Sequence, residues 1–483
     1  MQDVTMRIGG RDAKSASGRT YEKRNPYTGE PVARVPDAGP ADASAAAEAA
    51  SAAFREWSQA PPSKRRAVLW SAADKLEARA PDVAKAMTRE TGSTFGYGMF
   101  NAFFAASMLR EAAAASTQIQ GEVIPSDHPG TISLAVRQPV GVVLGIAPWN
   151  APMILGVRAV AVPLACGNTV VLKASEESPL THRMIADLLE EAGLPAGALN
   201  VLTTSREGAE AAVDALIADP RVRRISFTGS TKVGRIIAEK AARQLKPVLL
   251  ELGGKAPQVV LDDADLDEAA AAASFGAFMH QGQICMSTER LVVQRSVKDA
   301  FVEKLVAKAR ALKVGDPSDP QTQIGSMISE PAAVRVKQLV DEARSRGAKV
   351  LCGGEPKGVM FPPTVVDKVT PDMRLYHEES FGPVVIVLSV ADEEEAIRVA
   401  NDSEYGLSAA VFGQNIDRAY AVAERIESGI CHINSSTVDD EPQMPFGGVK
   451  MSGFGRFGGQ AAIREFTELR WITIQTGRRQ YPI

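Results

Sequence analysis

From Val140 onward the chain repeats one unit: a short apolar run, a turn, then a helix-like stretch. The runs are VGVVLGIA, NTVVLKA, ALNVLTT, VRRISFTG and KPVLLELG. Apolar runs this short, joined by crossover segments, pack as a parallel sheet covered by helices on both faces. A second series follows Gly254, with APQVVLDD, ERLVVQR, AKVLCGG, PVVIVLSV and LSAAVFG as strands, and helix-like DAFVEKLVAKARAL and EPAAVRVKQLVDEARSRG between them. A chain of 483 residues is too long for one core, so the two series read as two α/β domains.

The segment before them is helical. DASAAAEAASAAFREWSQ (42–59) and SKRRAVLWSAADKLEAR (63–79) begin on capping residue types and keep apolar positions at helical spacing. PDVAKAMTRETG follows, with Pro81 at a helix start and Gly92 at its end. The aromatic-rich GYGMFNAFFAASMLREAAAAS is a further helix. Two stretches, 130–139 (GTISLAVRQP) and 467–477 (TELRWITIQTG), alternate like exposed strands. Unpaired edges are a liability, so these are expected to pair with each other, with a sheet, or with another subunit. No charged residue occurs between Arg137 and Arg158, which raises a membrane helix. Pro139, Pro148 and Pro152 interrupt it, and the reading preferred is a buried strand, a turn, and a helix from about Pro152.

Net charge of −4 gives no electrostatic case for nucleic acid or an acidic membrane surface. The N-terminus has no apolar core of the secretory kind. The four cysteines (Cys166, Cys285, Cys352, Cys431) are scattered, without a C-x-x-C pair or zinc-like spacing to the five histidines. A reducing, cytoplasmic setting is expected, with no metal and no disulfide.

Several motifs carry chemistry. GSTKVG at 229–234 opens like a phosphate loop but lacks its Lys and Ser/Thr. Its helix start could still hold a phosphate, or Ser230 or Thr231 could simply cap the helix. GFGRFG at 453–458 matches G-x-G-x-x-G, but too little chain follows for a dinucleotide unit. LKASEESP places Lys173 and Glu176 at the end of the second strand, where an acid meets adenosine ribose hydroxyls and disfavours a 2′-phosphate; a helix-start acid is the plain alternative. In LLELGGKAP, Glu251 ends an apolar strand, so it is either a buried acid with a raised pKa or a surface carboxylate. FMHQGQICMSTERLVV holds a lone thiol, Cys285, with His280 five residues before it in the sequence. That spacing suits a Cys–His hydrolase poorly.

ELGGKAP and GQICMSTER, taken with APWNAP, FTGS, ESFGPV and MPFGGVKMSGFGR, resemble the aldehyde dehydrogenase superfamily over nearly the whole chain and in the family's motif order. The resemblance implies two doubly wound α/β domains, one Rossmann-like and NAD-binding (1–120 and 140–252), one catalytic (253–446). A small β oligomerisation arm with a C-terminal strand (121–139 and 447–483) completes them, implying a homodimer or homotetramer. It implies Cys285 as nucleophile, Glu251 as general base, and Asn150 with the Cys285 backbone N–H as oxyanion donors. Cofactor positions would be Ile146, Pro148, Trp149, Lys173, Glu176, Gly229, Ser230, Leu252, Glu379 and Phe381. Glu251 favours water over coenzyme A as acyl acceptor. The alternatives are a dehydrogenase for an aliphatic or semialdehyde substrate, and a non-catalytic descendant of the family, against which the intact Asn, Glu and Cys set argues. The residues bordering the thiol, Tyr97, Leu155, Met279, Ile284, Met286 and Phe446, suit a flat apolar substrate. Arg158 stands apart: it would meet a ring hydroxyl or carboxylate, or pair with an acid. WNAPMILGVRA with GQICMSTER looks most like the aromatic branch, which oxidises salicylaldehyde, vanillin and benzaldehyde.

Overall fold

The computed structural model describes residues 1–483. The five runs from Val142 to Glu251 form the parallel centre of an eight-stranded sheet. Across it the order is Val248–Glu251, Val222–Thr228, Val142–Ile146, Thr169–Lys173, Leu199–Leu202. The order reverses between Val142–Ile146 and Val222–Thr228, and a crevice opens outside the carboxyl ends at such a switch point. All five residues of Val142–Ile146 are buried, as are all but Val162 of the helix Pro152–Ala165. The uncharged stretch is thus core strand and core helix, and no helix is long and apolar enough to cross a membrane.

The second sheet has seven strands, in the order Lys349–Cys352, Thr364–Asp367, Val384–Val390, Thr288–Gln294, Ala256–Val260, Ser408–Phe412, Ile430–Ile433. All pair in parallel except the edge strand Lys349–Cys352. The chain passes from Glu251, at the carboxyl end of the first sheet, to Ala256, at the amino end of a central strand of the second.

Thr131–Pro139 and Thr467–Gln475 pair with each other, antiparallel over their full lengths, and Glu122–Ile124 adds a third strand. Segment 447–466 departs from the expected arm. Val449–Lys450 pairs with Tyr405–Gly406, and Gly453–Phe454 joins the edge of the first sheet beside Val248–Glu251. Gly453 of GFGRFG therefore serves close strand pairing, since a Cβ there would strike the Leu250 carbonyl. The first 36 residues are not helical: they supply Met6–Ile8 and Arg11–Ala13 to the first sheet's other edge, and a separate sheet of Gln2–Asp3, Thr20–Arg24 and Pro31–Pro36. Gln2–Asp3, Met6–Ile8 and Arg11–Ala13 are too short to show a period in the sequence.

The helices fall as expected, but two starts differ. The first, Pro40–Gln59, is bounded by Gly39; Asp42 sits inside, accepting from the N–H groups of Gly39 and Ala16, both at 2.9 Å. The second, Pro62–Ala78, begins after Pro61, so Ser63 is not its cap. Thr91 ends the helix Ala80–Thr91 and Gly92 follows in the left-handed region at φ 69°.

The helix Phe95–Ala115 packs against Pro62–Ala78, Ala80–Thr91 and Pro152–Ala165, and so holds Tyr97 toward the site. Its closest approach is at Gly98, where a Cβ would lie 2.5 Å from Ala84 Cα. Gly98→Val should therefore destabilise the fold by about 1–3 kcal/mol through overpacking. Thermal unfolding checks this; an unchanged midpoint would contradict the packing described.

Candidate active site

Asn150, after the strand Val142–Ile146, and Glu251, at the end of Val248–Glu251, both lie against the Cys285 segment. Ile146 ends its strand opposite Lys173, and residues 148–150 turn before the helix Pro152–Ala165. Asn150, buried in that turn, donates from Nδ2 to the Gln283 carbonyl at 2.9 Å. One amide hydrogen is thereby used for placement and the other is left for an incoming oxygen. The Cys285 segment is held from both sides. The Gln281 amide donates to the Ser326 carbonyl at 2.8 Å and accepts from the Gly325 N–H at 3.1 Å. Gln283 accepts from the Ile328 N–H at 3.0 Å. His280 and Gln281 both lie in the left-handed region, at φ 48° and 57°, a strained geometry that such anchors must maintain. On the other flank, a Cβ at Gly254 would overlap the Cys285 carbonyl, so only glycine lets the two backbones meet.

Glu251 is the last residue of Val248–Glu251, and its carbonyl accepts from the Gly229 N–H at 2.9 Å. Its carboxylate is buried with neither oxygen hydrogen-bonded. Burial pushes its pKa up to about 8, against the pull of Arg158 and Arg456 and with a push from Asp440. Cys285 is partly exposed but crowded by protein. Burial pushes its thiol up to about 12, with the Glu251 and Glu379 carboxylates adding to the effect. A buried carboxylate with no side-chain partner, beside a lone thiol, can serve as a base to a nucleophile.

Arg158 is buried and paired with Asp440, its guanidinium 4.2 Å from the Phe446 ring centroid and 5.6 Å from that of Phe457. Of the roles open to it in the sequence, pairing with an acid is realised, and it also stacks on aromatic faces. Burial raises the Asp440 carboxyl although Arg158 opposes this. Tyr97, Leu155, Ile284, Met286 and Phe446 belong to one buried apolar cluster, against which Met279 and Cys285 pack. Tyr97 stacks face to face on His280 at 4.2 Å. Both His280 ring nitrogens lack a partner, and burial pushes its pKa down to about 3. The ring makes no hydrogen bond to the thiol, and a Cys–His dyad is absent.

On the opposite side of Cys285 stand residues suited to a dinucleotide. Lys173 Nζ lies 3.3 Å from Glu176 Oε2. Burial pushes the Glu176 carboxyl up, but Lys173, a backbone hydrogen bond and Arg206 together hold the group below its ordinary value. Ser230 caps the helix Thr231–Ala242, its hydroxyl accepting from the Val233 N–H, with Gly229 just before it. Leu252 donates its N–H to the Ser452 carbonyl at 3.1 Å. Glu379 accepts from the Gly254 N–H at 2.9 Å; burial, then Glu289, pushes its pKa up to about 7. Phe381 meets Trp149 edge to face at 5.7 Å, beside Pro148. Lys173 and Leu252 stand at the carboxyl ends of two strands of the same parallel sheet, Thr169–Lys173 and Val248–Glu251. Asp440, Arg456, Phe457, Lys255 and Glu289 were missed in the sequence. Lys255 and Glu289 stand inside quoted motifs, but no spacing rule joins them.

The chain belongs to the aldehyde dehydrogenase family, which residues 13–472 match. It is 58% identical to vanillin dehydrogenase of Pseudomonas sp. strain HR199 over 483 residues, all of both chains. It is 41% identical to benzaldehyde dehydrogenase [NAD(+)] of Pseudomonas putida, covering 97% of this chain and 96% of that one. A crystal structure of salicylaldehyde dehydrogenase from Pseudomonas putida G7 with salicylaldehyde superposes with a TM-score of 0.98 at 48% identity, covering 100% of each chain.

The thiolate is the reactive form, so a thiol pushed up to about 12 should show no plateau in the working range. Alkylation of Cys285 by iodoacetamide in cofactor-free protein, read by mass spectrometry of its peptide, should rise about tenfold per pH unit from about 7 to 10. A plateau below about pH 9 would contradict the environment described.

Proposed function

We propose that the protein oxidises an aromatic aldehyde to its carboxylic acid with NAD, through a thioester on Cys285. The observation that carries this reading is the pairing of Cys285 and the unbonded, buried Glu251 beside an apolar, aromatic-lined wall. The printed activities of the relatives, on vanillin, benzaldehyde and salicylaldehyde, support the aromatic substrate.

Cys285 Sγ attacks the aldehyde carbon, and its proton passes to Glu251. The developing oxyanion meets the free Asn150 amide hydrogen and the Cys285 backbone N–H. Lys173, Glu176, Gly229, Ser230, Glu379 and Phe381 would hold NAD, which would supply the acceptor for the hydride leaving the substrate carbon. The acyl group is then left on Cys285 as a thioester. Glu251 passes the first proton on to solvent and, again deprotonated, takes a proton from the water that attacks the thioester; that proton goes to the departing Cys285 sulfur as the C–S bond breaks, which releases the acid and restores the thiol. Glu176, a carboxylate at the adenosine end, disfavours a 2′-phosphate and so favours NAD over NADP. Tyr97, Leu155, Met279, Ile284, Met286 and Phe446 exclude water from the ring, and Arg158 reads its substituents. The arm exposes Val123 and Trp471, 75% each, and so offers an apolar edge for a homodimer or homotetramer.

NADH formation with benzaldehyde, salicylaldehyde, vanillin and a medium-chain aliphatic aldehyde, with and without coenzyme A, tests the reading. Aromatic turnover without coenzyme A is expected; strict dependence on it would contradict the role of Glu251. Arg158→Leu, made together with Asp440→Asn so that no buried carboxylate is left unpaired, should change ring-substituent preference more than turnover of plain benzaldehyde. An equal loss on every aldehyde would contradict a role for Arg158 in specificity.

A further inference from the structure

Beneath the candidate nicotinamide-ribose contacts lies a buried charge pair that the mechanism above does not use. Lys255 Nζ is 2.5 Å from Glu289 Oε2, and the two side chains are 1% and 3% exposed. Lys255 also donates to the Glu378 carbonyl at 2.7 Å. Glu289 accepts from the Ser380 N–H with both oxygens at 2.9 Å and from the Phe381 N–H at 3.2 Å. These bonds hold a loop in which Phe381 adopts φ 49°, a conformation costly for a residue with a side chain.

The bonds close a ring. Glu379, in the same loop, accepts from the Gly254 N–H at 2.9 Å, and Gly254 precedes Lys255. Gly254 in turn abuts the Cys285 carbonyl, and Glu289 sits in the strand that follows Cys285. Arg335 braces the loop from outside, donating to the carbonyls of Glu379 at 2.8 Å and Ser380 at 3.0 Å. Arg290 fixes Lys255 through its carbonyl at 3.1 Å. A buried ion pair is weak as a source of stability, since apolar residues of the same volume often serve as well. Its distinctive product here is register: one carboxylate takes three bonds from a strained loop while its cation ties that loop to the segment touching the thiol.

We propose that the Lys255–Glu289 pair is a positioning device that fixes residues 379–381, and with them the nicotinamide half of the cofactor, relative to Cys285. This rests on the assignment of Glu379 and Phe381 to the nicotinamide ribose. Glu289 and Lys255 are positioning residues and touch neither substrate nor cofactor. The adenosine half, at Lys173 and Glu176, lies at the end of a different sheet and is independent of the pair.

The test is the dissociation constant of NAD and of ADP, which lacks the nicotinamide riboside, measured by calorimetry on the full chain. Glu289→Gln should weaken NAD by about tenfold while ADP changes much less, because misplacing the loop affects only one half of the ligand. Hydrolysis of 4-nitrophenyl acetate, which acylates the thiol without any hydride acceptor, should fall far less than NAD-dependent turnover. The double variant Lys255→Met with Glu289→Gln removes both charges, avoids an unpaired buried cation, and should show the same NAD-selective loss if the single variant does not fold. Equal weakening of NAD and ADP, or parallel loss of both activities, would overturn the proposal in favour of a purely structural pair. Glu379→Gln separates the underlying assignment. If it weakens NAD selectively while Glu289→Gln does not, the positioning role fails and the ribose assignment stands. If neither variant weakens NAD selectively, the assignment fails and takes the proposal with it.

Discussion

The site depends on one short crossing of the chain, from Glu251 at the carboxyl end of the first sheet to Ala256 at the amino end of a central strand of the second. Loops at the carboxyl ends of a parallel sheet form the ligand crevice at its switch point. Here the crossing carries the crevice directly to the amino edge of a second sheet, where Cys285 precedes the strand Thr288–Gln294. Glu251 and Cys285 therefore arrive from the edges of two different sheets, with the strand Ala256–Val260 and the helix Leu266–Phe278 between them in the chain. Gly254 makes that approach possible, because any side chain there would strike the Cys285 carbonyl.

Around this crossing, burial sets the chemistry. Glu251 is left without a hydrogen-bond partner, so its charged form is disfavoured and it is poised to exchange a proton near neutrality. Other charges nearby are paired: Arg158 with Asp440 and two aromatic faces, Lys255 with Glu289 and a carbonyl. The contrast sets Glu251, whose carboxylate has no counter-ion bonded to it, apart from the paired charges around it. Breaking either pair would leave a lone buried charge, at a cost of about 3–5 kcal/mol, so geometry is firmly held.

The sequence made the repeating strand–helix units legible because apolar runs bounded by turns allow one architecture. Cys285, Glu251 and Asn150 were legible through motif resemblance, and the structure brings Asn150 onto the Cys285 segment by a hydrogen bond to Gln283. The N-terminal strands were not legible, since Met6–Ile8 and Arg11–Ala13 are too short to display alternation and are strands only because a sheet edge receives them. Asp42 looked like a cap because cap and third-position acids share residue types, and only the bond to the Gly39 N–H distinguishes them. Asp440 and Glu289 were hidden for another reason: each acts on a partner distant in sequence, and a single carboxylate has no period or spacing to announce it.

The most direct measurement is a rapid-mixing experiment on Glu251→Gln with NAD and an aromatic aldehyde. If Glu251 is the group that activates water, the variant should release a burst of NADH approaching one equivalent per protomer. It should then stall, with the acyl mass retained on the Cys285 peptide. Multiple turnovers at the unaltered rate, or a stalled enzyme with neither burst nor acylated Cys285, would contradict that role.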